Sequence, residues 1–236
     1  MRLAEPVFYS IQGEGIYQGT PMVFIRLQGC NLLTSGDVGG CSWCDTRYAR
    51  DGSKGTEMSV EEVVEKVQEF APHYKDWVCI TGGEPMFQLD YLHELVKKLK
   101  RYGYRIEIET NGSIKKPYWW TLVDSWVFDI KCPSSGVCGI SLEDWFETRN
   151  VDQAKFVVGT REDLDFARKV IMRNMVKAPV VLVSPVSGIL VNKKEGTLEE
   201  YWFRPWLQEV AEFCLTERVR LSLQIHKEIW GNKRGV

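Results

Sequence analysis

Three cysteines stand close together early in the chain: Cys30, Cys41 and Cys44. Ten residues separate the first two and two residues separate the last two. The stretch from Cys30 to Thr46 is rich in Gly and Ser and carries little apolar periodicity, so it reads as a loop. Thiolates clustered like this bind zinc or an iron–sulfur cluster, or form a disulfide. A structural zinc site wants four closed ligands, and no fourth Cys or His lies nearby in the sequence. The chain has 236 residues, a formal net charge of −2 and an odd total of seven cysteines. The polar start, Met1 to Pro6, lacks the apolar run of a signal peptide, and no stretch approaches the roughly 18 apolar residues of a membrane helix. A cytoplasmic chain is expected, with no membrane and no nucleic acid as partner, since no broad basic field exists. A reducing compartment disfavours disulfides and moves the three cysteines toward metal.

Other polar groups follow the predicted strands. A strand over Val7–Gln12 leads into the turn Gly13-Glu14-Gly15. Met22 to Leu27 is a β-branched and aromatic run, and it delivers the chain straight into Gly29-Cys30. Strands over Trp77–Ile80, Arg105–Glu109 and Trp126–Lys131 end in Thr81-Gly82-Gly83-Glu84-Pro85, Thr110-Asn111-Gly112 and Pro133-Ser134-Ser135-Gly136. Gln153–Val158, Val180–Ser184 and Val219–Ile225 are the later strands, with His226 after the last. Helices are expected over Ser59–Phe70, where Ser59 and Glu62 form a capping box, and over Leu89–Tyr102, Arg161–Met175 and Pro205–Thr216, with a short one at Trp119–Val123.

Strand and helix alternate about six times, which implies a parallel sheet with helices outside. Polar clusters after almost every strand converge on one face of a βα barrel. Six units fall short of eight, so the α/β fold expected is a partial (β/α)6 TIM-like barrel, with a flavodoxin-like open sheet second. No repeat, low-complexity tract or linker divides residues 1–236, which read as a single domain. The rich aromatic supply reads as core, Glu107 as a solvated strand face, and His73 and His93 as surface residues. Cys79, Cys132, Cys138 and Cys214 read as buried or incidental thiols.

The order of these motifs resembles the radical S-adenosylmethionine enzymes, here with an irregular cluster loop and a C-terminal tail. Within them, Ile11-Gln12-Gly13-Glu14-Gly15, Phe24-Ile25-Arg26-Leu27-Gln28-Gly29-Cys30, Ser42-Trp43-Cys44-Asp45-Thr46, Thr81 to Pro85 and Glu109 to Gly112 look like the 7-carboxy-7-deazaguanine synthase family. Gln224-Ile225-His226 and Gly231 to Val236 fit the same family. The resemblance implies that Cys30, Cys41 and Cys44 hold a [4Fe-4S] cluster with one iron left for S-adenosyl-L-methionine, whose cleavage gives a 5′-deoxyadenosyl radical. Trp43, Cys44, Asp45, Gly82, Gly83, Glu84, Glu109, Asn111, Asp129, Ile130 and Lys131 would then hold that cofactor. Glu84 would accept from its ammonium group, and Glu109 and Asn111 would hold its ribose or methionine moiety. Thr46 would be a Mg2+ ligand, a hard oxygen suited to that ion.

The implied substrate is 6-carboxy-5,6,7,8-tetrahydropterin, held by Ile11, Gln12, Gly13, Glu14, Arg26, Thr81, His226 and the carboxylate of Val236. Arg26 is suited to the substrate carboxylate, which a guanidinium binds bidentately. The implied reaction is a lyase-type ring contraction with loss of ammonia, on the way to queuosine or archaeosine. It would need an external electron donor of the flavodoxin or ferredoxin type and would run in a homodimer. Two departures stand out. The family usually has three residues between the first two cluster cysteines, where this chain has the insert Asn31 to Gly40; such a loop closes at modest entropic cost. Asp129-Ile130-Lys131 stands where the family carries a Ser-Pro-Lys type of segment. An activating enzyme for a glycyl-radical partner, and a binding module stapled by zinc, are the alternatives.

Overall fold

The computed structural model describes residues 1–32, 40–71, 76–137, 143–145, 148–173, 178–186 and 203–236. Cys138, His73 and most of the Asn31–Gly40 insert lie outside the described residues. Strands form where β-branched and aromatic residues alternate with polar ones. In chain order the first are β1 (Arg2–Leu3), β2 (Phe8–Ile11), β3 (Pro21–Leu27) and β4 (Thr56–Glu57). Then come α1 (Val60–Phe70), β5 (Trp77–Gly82), α2 (Leu89–Arg101), β6 (Arg105–Thr110) and β7 (Ser125–Ile130). The rest are β8 (Gln153–Val158), α3 (Arg161–Met172), β9 (Val180–Pro185), α4 (Phe203–Glu217), β10 (Arg220–Leu221) and α5 (Ile225–Trp230). Ser59 caps α1 in the expected box with Glu62, and Thr160 with Asp163 caps α3 in the same way. No helix among the described residues is long and apolar enough to cross a membrane.

The strand order is β10-β9-β8-β7-β6-β5-β3-β1-β4, with β2 on β3. Every pairing from β3 through β5 to β10 is parallel, while β1, β2 and β4 pair antiparallel. This is the partial barrel. Its open side is bridged by a loop: Ile225 N donates to Gly13 O at 3.1 Å, Gly15 N to Ser222 Oγ at 3.0 Å, and Gln18 Nε2 to Leu223 O at 2.9 Å.

Side chains alternate across each strand. Val23, Ile25 and Leu27, Val78 and Ile80, Ile106 and Ile108, Trp126, Phe128 and Ile130, and Ala154, Phe156 and Val158 share the main apolar core. The four valines of α1 and Leu92, Leu95, Val96 and Leu99 of α2 pack into the same core. The other strand positions point to the barrel interior. Met22, Phe24, Trp77 and Cys79 plug its floor as a small second cluster.

Three expectations change. The short helix expected at Trp119–Val123 is a 3₁₀ turn at Trp120–Leu122, and the described residues after β7 hold further 3₁₀ turns at Pro133–Ser135 and Glu143–Trp145. Stacked aromatics fill the outer layer there: Phe128 on Trp145 at 5.0 Å, with Trp126 edge-on to Trp145 at 5.5 Å. The last strand is two residues, not seven, because Ile225 N is taken by Gly13 O, and His226 therefore sits on α5. Glu107 is no solvated face; it is 1% exposed, in the barrel interior.

Candidate functional site

Strand alternation aims Arg26 (β3), Thr81 (β5), Glu109 (β6), Asp129 (β7) and Lys155 (β8) into one open cleft of about 430 Å³. The loops after the strands close over it. Cys30, Cys41 and Cys44 line it, with Trp43, Asp45 and Thr46 beside them. So do Gly82, Gly83, Asn111 and Lys131 from strand ends, Ile11 from the end of β2, Gln12, Gly13 and Glu14 from the bridging loop, and His226 and Val236 from the C-terminal end. Two residues assigned to the cofactor do not line the cleft. Ile130 is a helix-facing core residue, 1% exposed. Glu84 is fully buried and accepts from Asn111 N at 2.7 Å, Met86 N at 3.0 Å and Thr110 Oγ1 at 2.8 Å. Its carboxylate sets the Thr110-Asn111 turn from behind. Burial pushes its pKa up to about 7 despite these three donors.

The cysteine loop is bolted to its surroundings by backbone. Gly29 N donates to Ala49 O at 2.7 Å, Cys30 N to Arg50 O at 3.0 Å and Glu84 N to Gly29 O at 2.8 Å. A Cβ on Gly83 would lie 2.3 Å from Gly29 O and 2.5 Å from Ala49 O, so the glycine is required by close approach of the cysteine loop. Ser42 N reaches Ser135 O at 2.9 Å, and Trp43 Nε1 reaches Ser134 Oγ at 3.0 Å. Asn111 Nδ2 lies 3.8 Å from Cys30 Sγ and 3.0 Å from Asn31 Oδ1. Burial raises the Cys30 and Cys41 thiol pKa values. Of the other described cysteines, Cys79, Cys132 and Cys214 are buried in the apolar clusters, as expected of structural thiols.

Two polar systems occupy the interior. On the floor side, Glu107 accepts from Gln12 Nε2 at 2.5 Å and from Gln153 Nε2 at 3.1 Å. Burial, then the neighbouring Glu109, pushes its pKa up to about 8. Gln153 Oε1 in turn accepts from Ile16 N at 2.9 Å, which anchors the bridging loop. Nearer the mouth, Asp129 meets Lys131 at 2.6 Å and Lys155 at 3.3 Å, and Lys155 meets Glu14 at 2.9 Å. Burial would raise the Asp129 pKa, but Lys131 and Lys155 outweigh it and lower it. Arg26 Nε donates to Glu5 Oε1 at 2.6 Å, and Tyr48 Oη donates to the same oxygen at 3.1 Å. Thr81 Oγ1 donates to Glu109 Oε2 at 2.9 Å.

Lys155, Glu5 and Tyr48 line the cleft without having been singled out from the sequence. For Lys155 a signal exists: Gln153 and Lys155 alternate with Ala154, Phe156 and Val158, so a helix-covered sheet must send Lys155 inward. Glu5 and Tyr48 carry no such signal.

A model of the radical SAM superfamily matches residues 25–124, from β3 to the approach to β7. A protein of Methanospirillum hungatei named 7-carboxy-7-deazaguanine synthase is 41% identical over 233 residues, 97% of this chain and 85% of the relative. The chain belongs to the 7-carboxy-7-deazaguanine synthase family. A second such relative, from Thermoplasma acidophilum, is 37% identical and covers 99% of this chain and 100% of its own. The crystal structure of QueE from Escherichia coli shares the fold, with a TM-score of 0.62 at 24% identity over 94% of this chain and 93% of that one.

Membership in this radical SAM family brings a [4Fe-4S] cluster and S-adenosylmethionine. The donor set fits them. Three soft thiols face one cleft, none in a disulfide. Beside them stand glycine backbone at Gly82-Gly83, the Asn111 amide and the Asp129–Lys131 pair. Lys131 Nζ lies 5.6 Å from the Trp43 ring, which joins β7 to the cysteine loop.

Proposed function

We propose that this chain converts 6-carboxy-5,6,7,8-tetrahydropterin to 7-carboxy-7-deazaguanine with release of ammonia, the step that feeds queuosine or archaeosine. The observation that carries this reading is the meeting, in one cleft, of three thiols with the Gln12, Glu14 and Arg26 group. Near full-length identity to relatives named for this synthesis supports it. An activase for a glycyl-radical partner leaves those three side chains without a task.

When bound, the cluster and S-adenosylmethionine supply the radical that removes a hydrogen atom from the pterin. The residues of this chain bind, orient and exclude water. Cys30, Cys41 and Cys44 hold the cluster. Trp43, Asp45, Gly82, Gly83, Asn111, Asp129 and Lys131 shape the cofactor half, with Glu84 setting Asn111. Arg26, gripped along one edge by Glu5, turns its guanidinium to the substrate carboxylate. Ile11, Gln12, Gly13, Glu14 and Thr81 flank the ring system and offer it hydrogen-bonding groups, while Glu109, which accepts from Thr81 Oγ1, stands with the cofactor residues for its ribose or methionine moiety.

Burial lowers the His226 pKa, so the imidazole is neutral near pH 7 and offers one donor and one acceptor. A Cβ on Gly13 would lie 1.8 Å from His226 Nδ1, so this loop admits the imidazole only because Gly13 has no side chain. The tail folds over the mouth: Arg234 sits over the Tyr48 ring at 3.6 Å, and Val236 lines the cleft. Thr46 offers its hydroxyl to Mg2+. The reading extends to a single domain over residues 1–236, a cytoplasmic homodimer, and an electron donor of the flavodoxin or ferredoxin type.

Incubation of the reduced, cluster-loaded protein with S-adenosylmethionine and the carboxytetrahydropterin tests the reading. Formation of 7-carboxy-7-deazaguanine is expected. If 5′-deoxyadenosine forms only with a protein partner and no deazaguanine appears, the assignment is wrong. A colourless protein holding one zinc after anaerobic purification contradicts it at the root, since the cluster makes it brown with about four irons per chain.

A further inference from the structure

Lys155 occupies an unusual position among the buried charges. Its chain neighbours Ala154 and Phe156 belong to the helix-facing core, while its own side chain points into the interior and is almost enclosed, at 9% exposure for the residue. Its ammonium lies 2.9 Å from Glu14 Oε2 and 3.3 Å from Asp129 Oδ1. These carboxylates come from different halves of the cleft. Glu14 belongs to the bridging loop, 141 positions away in sequence. Asp129 stands beside Lys155 in the β7–β8 register and holds Lys131 at 2.6 Å. Glu14 also accepts from Gln224 Nε2 at 2.5 Å, which carries the contact on to the segment before α5. A continuous line of charge and hydrogen bonds thus runs from Lys131 through Asp129, Lys155 and Glu14 to Gln224, all on the cleft wall.

We propose that Lys155 is the positioning residue that ties the substrate loop to the cofactor strand, fixing Glu14 for the pterin and Asp129 for the cofactor together. The proposal rests on the substrate reading above. Two lysines face two carboxylates here, so the line is neutral as a whole. Removing Lys155 leaves Glu14 without its cation and the wall with a net negative charge. A largely enclosed carboxylate so stranded is costly. It swings out of place or stays and leaves an excess charge that repels an anionic substrate. A lysine that only stabilised the fold would have no reason to pair two carboxylates that both line the cleft and come from separate elements.

Equilibrium binding tests this without turnover. The oxidised, cluster-loaded protein is titrated calorimetrically with the carboxytetrahydropterin and, separately, with S-adenosylmethionine. Lys155→Met and Glu14→Gln should each weaken pterin binding about tenfold or more, and the double variant should be no weaker than the poorer single one, because contacting residues act as a unit. Asp129 predicts a smaller loss of cofactor affinity in Lys155→Met alone. If Lys155→Met does not fold, Lys155→Gln, which keeps a donor, should show the same pterin loss with a cooperative melt. Pterin binding within about twofold of wild type in the folded variant, or losses that simply multiply in the double variant, overturn the proposal. Failure of the wild type itself to bind the pterin overturns the substrate reading instead.

Discussion

Two successive levels of one barrel interior treat buried charge in opposite ways. On the floor level, Glu107 is enclosed by amides, from Gln12 and Gln153, with Cys79 and Glu109 as neighbours. Burial dominates, and the carboxyl holds its proton up to about pH 8. One level up, Asp129 lies against two ammonium groups, and its pKa falls although it too is largely enclosed. The same strands supply both levels: Glu107 and Glu109 are two residues apart on β6, as are Gln153 and Lys155 on β8. Enclosure is common to both, and the partner decides the charge state. The floor is a neutral hydrogen-bonded plug that sets the bridging loop. The level above is a line of paired ions on the cleft wall.

Substitutions can break the contrast. Asp129→Leu should be the most damaging, since it strips Lys131 of its carboxylate and leaves Lys155 with Glu14 alone; a loss of about 3–5 kcal/mol in urea unfolding is expected. Glu107→Leu removes an acceptor from two buried amides but strands no charge, so about 1–3 kcal/mol should be lost by the same measurement. Equal losses for the two would mean that the levels do not differ in charge.

Glu107→Gln should have the smallest effect, and its sign should depend on pH. The native carboxyl binds its proton more tightly than in the unfolded chain, where the pKa is about 4.5. The wild-type contribution is therefore full below that value and lost as the pH rises through about 8. The variant, which has no proton to lose, should gain stability relative to wild type across this window in thermal melts. A gap that stays constant with pH would show Glu107 to be ionised throughout.

The elements were legible where local chemistry agrees with the fold. The Ser59–Glu62 box, the run Gln153–Val158 and the delivery of Cys30 by a β-branched strand were all readable, because each depends on residues adjacent in sequence. The gathering of polar strand ends followed from βα alternation. Lys155 was hidden although its alternation was readable, because only pairing with β7 shows that it meets Asp129. Glu107 read as solvated for a related reason: alternation shows that two glutamates share a face, not that the face lines a closed interior. Glu84 was assigned to the ligand, and its carboxylate is occupied by backbone groups from Asn111 and Met86 that no local pattern announces. The 3₁₀ turn at Glu143–Trp145 was not legible, because it rests on aromatic packing among Trp126, Phe128 and Trp145 across separate segments.

The proposed site requires that Cys30, Cys41 and Cys44 present their thiolates to one cluster across the ten-residue insert. Replacement of Cys41 by Ala, with iron content, visible absorbance and deazaguanine formation measured on the anaerobically purified protein, tests that most directly. Loss of the brown colour, of most of the iron and of product is expected. A variant that keeps about four irons per chain and still forms product would show that the second ligand lies elsewhere.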